Sequence, residues 1–204
     1  MIAIINYGVG NLFSLHSSLK YIGWDAVVTD DVAKIKSCDK LLLPGVGAFA
    51  DAASMLRIAG LDVIVKNEAK NGKPLLGVCL GMQMLFEKSY EFGEHEGLSL
   101  LSGVVAPIKP RIPAEYKIPH IGWNALRIPK GEKPPLLKYI NEGDHVYFVH
   151  SFHAELCDDS TIATTEYGAE LTAAVGSGNI FGTQFHPEKS GETGLKILRA
   201  FAEM

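Results

Sequence analysis

The sequence predicts a single α/β domain over residues 1–204, with a mostly parallel central sheet, helices on both faces and an antiparallel extension. Three observations predict this fold class. A chain of 204 residues has the usual length of one large domain. Short apolar runs alternate with helical patterns in the first half, which is typical of right-handed βαβ units. From about Gly103 onward, Pro-rich loops and shorter strand patterns replace that alternation.

The strands of the first half are predicted from continuous apolar runs, as expected for strands that are covered on both faces. The runs are IAIIN at 2–6, DAVVT at 25–29, KLLLP at 40–44 and LLGVC at 75–79. After the first run, Asn11 is placed to cap a helix whose apolar residues recur every three or four positions. Gly23 is placed to end that helix.

The second half predicts shorter strands and one closing helix. Strand patterns cover HVYFVHSF at 145–152 and TIATTEY at 161–167. LTAAVG and IFGTQF are expected to form a hairpin around Ser177-Gly178-Asn179. The last helix is predicted over Gly191–Met204, and it directs Leu195, Leu198 and Phe201 toward the sheet.

Composition and charge exclude several classes of protein. Apolar residues make up 47% of the chain and charged residues 21%, which are globular values and exclude a disordered, collagen-like or disulfide-stapled protein. The net charge of −4 provides no positive field for nucleic acid or anionic lipid. With no apolar stretch near ~20 residues and no signal-peptide pattern, a cytoplasmic protein is expected. The three cysteines are too far apart for a CxxC metal or redox motif, and no paired His and Cys spacing exists, so no metal site is predicted. No cofactor is expected either.

The pentapeptide Gly77-Val78-Cys79-Leu80-Gly81 is a candidate nucleophile elbow, because it follows a buried strand and precedes a helical pattern. Flanking glycines permit a sharp turn that lifts the nucleophile clear of the sheet. The helix that follows favours a thiolate at Cys79, and the next backbone N–H, of Leu80, can face a developing oxyanion. A buried structural cysteine is the alternative, and the pentapeptide alone does not decide between the two.

A nucleophilic cysteine needs a base and a group that orients the base. Of the seven histidines, His186 is the candidate, because His186-Pro187-Glu188 follows an apolar strand and brings an imidazole and a carboxylate together. Pro187 fixes the turn between them. An exposed His beside an exposed Glu is the alternative for this tripeptide alone.

Two glycine-bearing loops follow predicted strands. Pro44-Gly45-Val46-Gly47 lies at the carboxyl edge of the sheet, where open α/β sheets bind ligands, and it can cradle an anion or supply an oxyanion N–H after a peptide flip. A simple tight turn is its alternative. Gly8-Val9-Gly10 lacks the third glycine of a dinucleotide motif, since Phe13 stands there, so nucleotide binding is not predicted.

Together these segments resemble the class I, triad-type glutamine amidotransferases, whose fold is flavodoxin-like. The matching stretches are PGVG at 44–47, GVCLGMQ at 77–83, HSF at 150–152 and QFHPEKS at 184–190. Two more, NYGVGN at 6–11 and HIGWN at 120–124, look like those of the glutaminase subunits of imidazole glycerol phosphate synthases, which belong to the histidine pathway.

The resemblance implies a role for each candidate residue. Cys79 is the expected nucleophile toward the side-chain amide of glutamine, His186 its base and Glu188 the residue that orients His186. Leu80 and, after a flip of the PGVG loop, Val46 are the expected oxyanion donors. The residues expected to bind glutamine are Gly47, Gln83, Glu91, Ser151 and Phe152; Asn11, Trp123 and Lys189 are expected to contact a partner. Phe152 stands where the family often has Tyr, and Tyr90 where it often has an acid.

The implied partner is a (β/α)₈ cyclase subunit, in a heterodimer. It receives ammonia and converts PRFAR to imidazole glycerol phosphate and AICAR. Two enzymatic alternatives stay open: a solitary elbow-cysteine hydrolase, such as a γ-glutamyl hydrolase-like enzyme, and a glutaminase serving another ammonia acceptor. The third alternative is a catalytically silent flavodoxin-like interaction module.

Overall fold

The computed structural model describes all residues from 1 to 204. It contains thirteen β-strands. In chain order they are β1 (Ile2–Ile5), β2 (Ala26–Thr29), β3 (Lys40–Leu43), β4 (Leu75–Val78), β5 (Lys88–Ser89), β6 (His95–Glu96), β7 (Val104–Pro107), β8 (His120–Arg127), β9 (His145–His150), β10 (Phe152–Glu155), β11 (Thr161–Glu166), β12 (Glu170–Ser177) and β13 (Ile180–Thr183).

Six α-helices and three single 3₁₀ turns connect these strands. The helices are α1 (Leu12–Tyr21), α2 (Val32–Ser37), α3 (Phe49–Ile58), α4 (Leu61–Lys70), α5 (Leu80–Gln83) and α6 (Gly191–Ala202). The 3₁₀ turns are Pro135–Leu137, Asp158–Ser160 and Pro187–Lys189. None of the helices has the length and hydrophobicity needed to cross a membrane.

The central sheet has nine strands in the order β2-β1-β3-β4-β13-β12-β11-β8-β9. The first five strands of that order pair in parallel, and the remaining pairings are antiparallel. Each of the four apolar runs of the first half forms one of the parallel strands, and the predicted hairpin is β12–β13. The predicted fold class, a mostly parallel sheet with an antiparallel extension, is confirmed.

Helices cover both faces of this sheet, because each strand presents alternate apolar residues to opposite sides. Ile2 and Ile4 pack with Leu15 and Leu19 of α1 and with residues of α6. Ala3 and Ile5, on the other face, pack in the core that α2, α3 and α4 complete. The two cores leave the carboxyl ends of the parallel strands as the open edge.

A second sheet, with the order β10-β7-β5-β6, was not predicted. The predicted strand over 145–152 is therefore wrong in its extent. It ends at His150, and Phe152 begins β10, because the backbone leaves β8 at this point and pairs with β7 instead. Ser151 lies at the junction of the two sheets, and this bend exposes it toward the open edge.

Two helix details also differ from prediction. Asn11 occupies the N-cap position of α1, but its side chain makes no capping hydrogen bond and donates instead to Glu188. The closing helix ends at Ala202, and Leu195 on it is only half-buried, whereas Leu198 and Phe201 are fully buried as expected.

Candidate active site

Cys79 lies in a strained turn between β4 and α5. Its backbone has φ 55° and ψ −112°, a left-handed conformation that costs a non-glycine residue free energy. The residue order is the one expected of an elbow, with strand, nucleophile and helix in sequence. However, α5 is a single turn of 4 residues, so its macrodipole stabilises a negative charge on the sulfur less than a full helix would.

Close backbone packing around the elbow explains its glycines. A Cβ atom on Gly77 would lie 2.6 Å from the carbonyl oxygen of Gly81, and one on Gly45 would lie 2.6 Å from the Gly81 nitrogen. A Cβ on Gly81 itself would collide with the carbonyl group of Leu43. The carboxyl ends of β3 and β4 therefore meet through backbone alone, and this contact places the PGVG loop beside Cys79.

His186 and Glu188 form a buried pair at the end of β13. The Nδ1 atom of His186 lies 2.9 Å from Oε1 of Glu188, and both side chains are almost fully buried. Ser190 fixes the backbone of this turn, since its hydroxyl donates to the His186 carbonyl over 2.7 Å. Because Nδ1 is used by the carboxylate, Nε2 is the ring nitrogen left for Cys79.

The charges around His186 favour an imidazolium. Burial alone would lower the pKa of His186, but its interactions with the Cys79 thiolate and with Glu188 outweigh burial and raise the pKa to about 9. The Cys79 and His186 side chains have no hydrogen bond of regular geometry, yet the sulfur lies close enough to raise the pKa of His186. An imidazolium facing the sulfur at neutral pH is what a thiolate nucleophile requires.

A cavity of about 310 Å³ opens beside the sulfur at the carboxyl edge of the sheet. It is lined by Cys79, His186, both expected oxyanion residues and all five residues expected to bind glutamine. The full set is Val46, Gly47, Cys79, Leu80, Gln83, Glu91, Pro119, Val149, His150, Ser151, Phe152 and His186. The structure therefore brings the predicted site residues together from five separate segments of the chain.

Gln83, Phe152 and Glu91 contribute to the cavity in different ways. Gln83 donates to the Phe152 carbonyl over 3.0 Å, so Phe152 contributes its backbone rather than a side-chain hydroxyl. Glu91 accepts from the Phe49 N–H at the start of α3 over 2.5 Å. Its second carboxylate oxygen has no partner within the chain, and that oxygen is available to a ligand amine.

The expected oxyanion residues, Leu80 and Val46, both line the cavity. The Leu80 N–H follows Cys79 directly and has no acceptor within the chain. The Tyr7 hydroxyl donates to the Pro44 carbonyl over 2.7 Å and anchors the start of the PGVG loop. Val46 and Gly47 are exposed, and nothing packs where a Gly47 side chain would lie, so this end of the loop has space to flip.

The three residues expected to contact a partner lie near the 186–190 segment. Trp123 is 54% exposed and packs edge-on against Tyr147, with 6.0 Å between ring centroids. The Lys189 ammonium lies 5.9 Å from the same Tyr147 ring. Asn11 donates to Glu188 over 3.4 Å, so it contacts the carboxylate directly.

Four residues with roles at the site were not singled out from the sequence. Gln184 and Ser190 belong to the QFHPEKS stretch but carry no recognisable chemistry by residue type. His150 belongs to the HSF stretch, and Tyr7 to NYGVGN. Only a fold that joins these stretches shows what each one contacts. No group of three or more His, Cys, Asp or Glu side chains is placed to bind a metal ion.

Comparison with known proteins shows the family and the fold of this chain. The family model described as glutamine amidotransferase class-I matches residues 3–204. The fold is similar to a crystal structure of a glutamine amidotransferase, with a TM-score of 0.76, 18% identity and full coverage of both chains. It is also similar to the structure of PurLQS from Thermotoga maritima, with a TM-score of 0.71, 22% identity, and coverage of 99% of this chain and 97% of that one.

The chain belongs to the class-I glutamine amidotransferase family. Within that family it is 52% identical to imidazole glycerol phosphate synthase subunit HisH of Caldanaerobacter subterraneus subsp. tengcongensis, over 100% of this chain and 98% of the relative. It is 49% identical to the subunit HisH of Sulfurimonas denitrificans, over 100% and 98%. The resemblance predicted from the sequence motifs is confirmed.

Proposed function

We propose that this chain is the glutaminase subunit of an imidazole glycerol phosphate synthase. It hydrolyses glutamine to glutamate and ammonia, and it passes the ammonia to a (β/α)₈ cyclase subunit that converts PRFAR to imidazole glycerol phosphate and AICAR. The family match over residues 3–204 and the full-length HisH relatives support this function. One domain over the whole chain, a heterodimer and a cytoplasmic location stay predictions.

The reaction begins with attack of the Cys79 thiolate on the amide carbon of glutamine. A C–S bond forms, and the carbonyl oxygen becomes an oxyanion. Collapse of this intermediate breaks the C–N bond while His186 gives its Nε2 proton to the departing nitrogen, so ammonia leaves and a thioester remains. His186 then takes a proton from water as the water attacks the thioester. The C–S bond breaks, glutamate is released, and the thiolate and imidazolium are restored.

Glu188 keeps His186 in the tautomer that this sequence needs. Its Oε1 atom accepts from Nδ1 at 2.9 Å, so the transferable proton is the one on Nε2, which moves to the leaving nitrogen and is replaced from water. The carboxylate also stabilises the imidazolium, in agreement with the raised pKa of His186. Asn11 donates to the same oxygen. A partner that contacts Asn11 is therefore linked to the triad through one hydrogen bond.

The oxyanion requires donors that are fixed before the reaction. Leu80 supplies one N–H from the elbow. The Val46 N–H is the second donor once the peptide of the exposed PGVG end turns toward the cavity. Tyr7 and the Gly45–Gly81 contact hold the other end of the loop, so the flip is confined to two residues.

The single observation that carries the proposal is the shared cavity of about 310 Å³, which joins the nucleophile, its base and all five expected glutamine-binding residues. A catalytically silent module has no need for a buried His186–Glu188 pair aimed at a strained cysteine. A solitary hydrolase has no need for the exposed Trp123 beside Tyr147 and Lys189. Exposed aromatic residues of this kind are favoured at the centres of protein interfaces.

Covalent labelling tests the nucleophile directly. A glutamine analogue with an electrophilic δ-carbon is expected to add one equivalent to the protein, and peptide mass spectrometry is expected to find it on Cys79. Cys38 and Cys157 are buried elsewhere and serve as internal controls. Glutamine should protect Cys79, and Cys79→Ala should take up no label. Labelling that glutamine does not slow, or labelling of Cys38 or Cys157 at the same rate, would contradict the assignment.

A further inference from the structure

A continuous chain of buried hydrogen bonds reaches the Cys79 sulfur from the strand that carries Trp123. This buried hydrogen-bond chain consists of His120, His150, the Phe152 carbonyl, Gln83, Gln184 and Cys79. Of these, only Cys79, Gln83, His150 and Phe152 line the cavity. His120 and Gln184 are fully buried behind it, and no step of the proposed reaction uses them.

The half of the chain nearest the sulfur has a fixed direction. The Phe152 carbonyl can only accept, so the Gln83 amide must present its NH₂ group there, at 3.0 Å. The second hydrogen of that NH₂ reaches the Gln184 Oε1 atom at 2.9 Å. Gln184 is thereby oriented with its own NH₂ toward Cys79, and its Nε2 atom lies 3.7 Å from the sulfur. Each bond therefore determines the orientation of the next.

The other half of the chain holds the Phe152 carbonyl in place. His150 Nδ1 donates to this carbonyl over 2.8 Å, which leaves Nε2 as the acceptor of a neutral ring. Burial lowers the pKa of His150 to about 3, so the ring is neutral at physiological pH. His120, directly opposite on β8, then donates from Nδ1 to His150 Nε2 over 3.0 Å.

Ring packing keeps His120 in this position. It stacks between Phe148 and Tyr167, with centroid distances of 4.9 Å and 4.0 Å. At its far side, Nε2 lies 2.8 Å from the Asn124 side chain, which is half-exposed next to Trp123. A neutral His120 that donates from Nδ1 has no proton left for Asn124 Oδ1. The Asn124 amide donates to the Glu166 carbonyl, so its oxygen makes no hydrogen bond with His120 in this tautomer, and the buried hydrogen-bond chain begins at His120.

We propose that Gln184 and His120 are positioning residues for glutamine hydrolysis. They act through the buried hydrogen-bond chain, in which Gln184 holds and solvates the Cys79 sulfur and His120 fixes the carbonyl that orients the intervening amides. The proposal rests on the proposed function, since it takes Cys79 as the nucleophile. A buried amide donor stabilises a thiolate more than water-exposed groups do, because the bond to a charged acceptor is strong and needs no reorganisation.

The test compares Gln184→Met and His120→Phe with the wild type in complex with the cyclase subunit. Met keeps the volume of Gln184 without its amide, and Phe keeps the ring stack of His120 without its nitrogens. Since neither residue lines the cavity, the KM for glutamine is expected to stay within about twofold. The kcat is expected to fall about tenfold, the factor that the loss of one ordinary hydrogen bond produces.

A second readout follows the sulfur without glutamine. The rate of Cys79 alkylation by iodoacetamide is expected to fall by about the same tenfold factor in both variants. His120→Gln retains a donor that can reach His150, so it should recover most of the loss. His153→Phe is the matched control: His153 is a buried histidine bonded to Glu155 outside the chain, and its removal should leave both readouts unchanged.

Unfolding curves establish that each variant is folded, and Gln184→Asn replaces Gln184→Met if that variant is not. Wild-type kcat and wild-type alkylation rates in both variants would overturn the proposal while the glutaminase function stands. An equal loss in His153→Phe would also overturn it, because the effect would then be one of general core disruption. If the wild-type complex does not hydrolyse glutamine, the proposed function fails, and the alkylation rates alone still decide on the positioning role.

Discussion

His186 is buried and has two negatively charged neighbours, and together these determine its pKa. A ring as buried as this one would be neutral at pH 7 if it were isolated, as His150 is. The pair with Glu188 and the nearby sulfur reverses the effect. The same buried surroundings therefore produce one neutral and one charged imidazole within the same cavity, and only the charged one can supply a proton to leaving ammonia.

The raised pKa of His186 has a consequence for stability. A group whose pKa is higher in the folded state stabilises the fold fully below its unfolded pKa of about 6.5, and that contribution is lost as the pH rises through about 9. The free energy of unfolding of the wild type should therefore exceed that of His186→Asn most at pH 6. The difference should shrink steadily between pH 6.5 and 9.

Urea unfolding at a series of pH values measures this difference. His153→Asn is the control, because burial lowers the pKa of His153 and its contribution should not decline in that range. A constant difference between the wild type and His186→Asn from pH 6 to 10 would show that the pKa of His186 is not raised in the folded protein.

The elbow has no room for a side chain at Gly81. The backbone φ of Gly81 is not left-handed, so the only cost of Gly81→Ala is the collision of the new Cβ with the Leu43 carbonyl. Relief of that collision must move the end of β3 or the elbow, and we expect a loss of about 3 kcal/mol in unfolding free energy, as in overpacked cores. Glutaminase activity should fall with it.

Gly23→Ala is the comparison variant, since Gly23 has φ 83° and open space around it. Its cost is backbone strain alone, about 1 kcal/mol, and activity should be unchanged. Denaturant unfolding and glutamate release measure both variants. Equal losses in the two variants, or full activity in Gly81→Ala, would be inconsistent with the close packing of β3 against the elbow.

At the scale of elements, the N-cap positions of α1 and α2 hold residues with different roles. Asp31 caps α2, because its carboxylate accepts from the N–H groups of Ala33 and Lys34. Asn11 stands at the same position of α1 but donates to Glu188 instead.

Asp31→Ala should cost about 1 kcal/mol of stability without affecting catalysis. Asn11→Ala should leave stability within about 0.5 kcal/mol and lower glutamine hydrolysis in the complex. Thermal unfolding and steady-state kinetics distinguish the two, and the reverse pattern would mean that Asn11 is a cap.

The elements that the sequence predicts well are those with strong local signals. The four parallel strands are continuous apolar runs, and the β12–β13 hairpin has a glycine at its turn. The second sheet had no such signal, because β5 and β6 have only two residues each and show no periodicity. The apolar run over 145–152 hides the bend at Ser151, since the change of strand partner leaves the hydropathy pattern unchanged.

The site residues divide in the same way, into those with a signal in the sequence and those without one. Cys79, His186 and Glu188 were found because their residue types and order carry chemistry. Gln184 and His120 were not, because a buried amide or a second histidine has no meaning until the fold places it. His120 and His150 are 30 residues apart and meet only through the pairing of β8 with β9.

For the whole molecule, the exposed surface around Trp123 is the one that a partner would cover. Ile121 and Trp123 are more than half exposed on the outer face of β8, with Tyr147 and Lys189 beside them. Trp123→Ala is expected to weaken binding of the cyclase subunit by at least about tenfold, as the loss of an interface aromatic usually does. Ile58→Ala is the control, since Ile58 is an apolar residue that is 84% exposed on α3, which packs against α4 and β6. Calorimetric titration measures both, and equal affinities would place the interface elsewhere.

The function proposed for this fold is the release of ammonia at Cys79 for a second subunit. Its most direct test is the rate of glutamate release from glutamine, first by this chain alone and then with the cyclase subunit and PRFAR, with Cys79→Ala as the control. We expect slow release by the chain alone, strong stimulation by the liganded partner and none in the variant. Full activity without the partner would contradict the coupled function, and glutamate release by Cys79→Ala at the wild-type rate would contradict the assignment of the nucleophile.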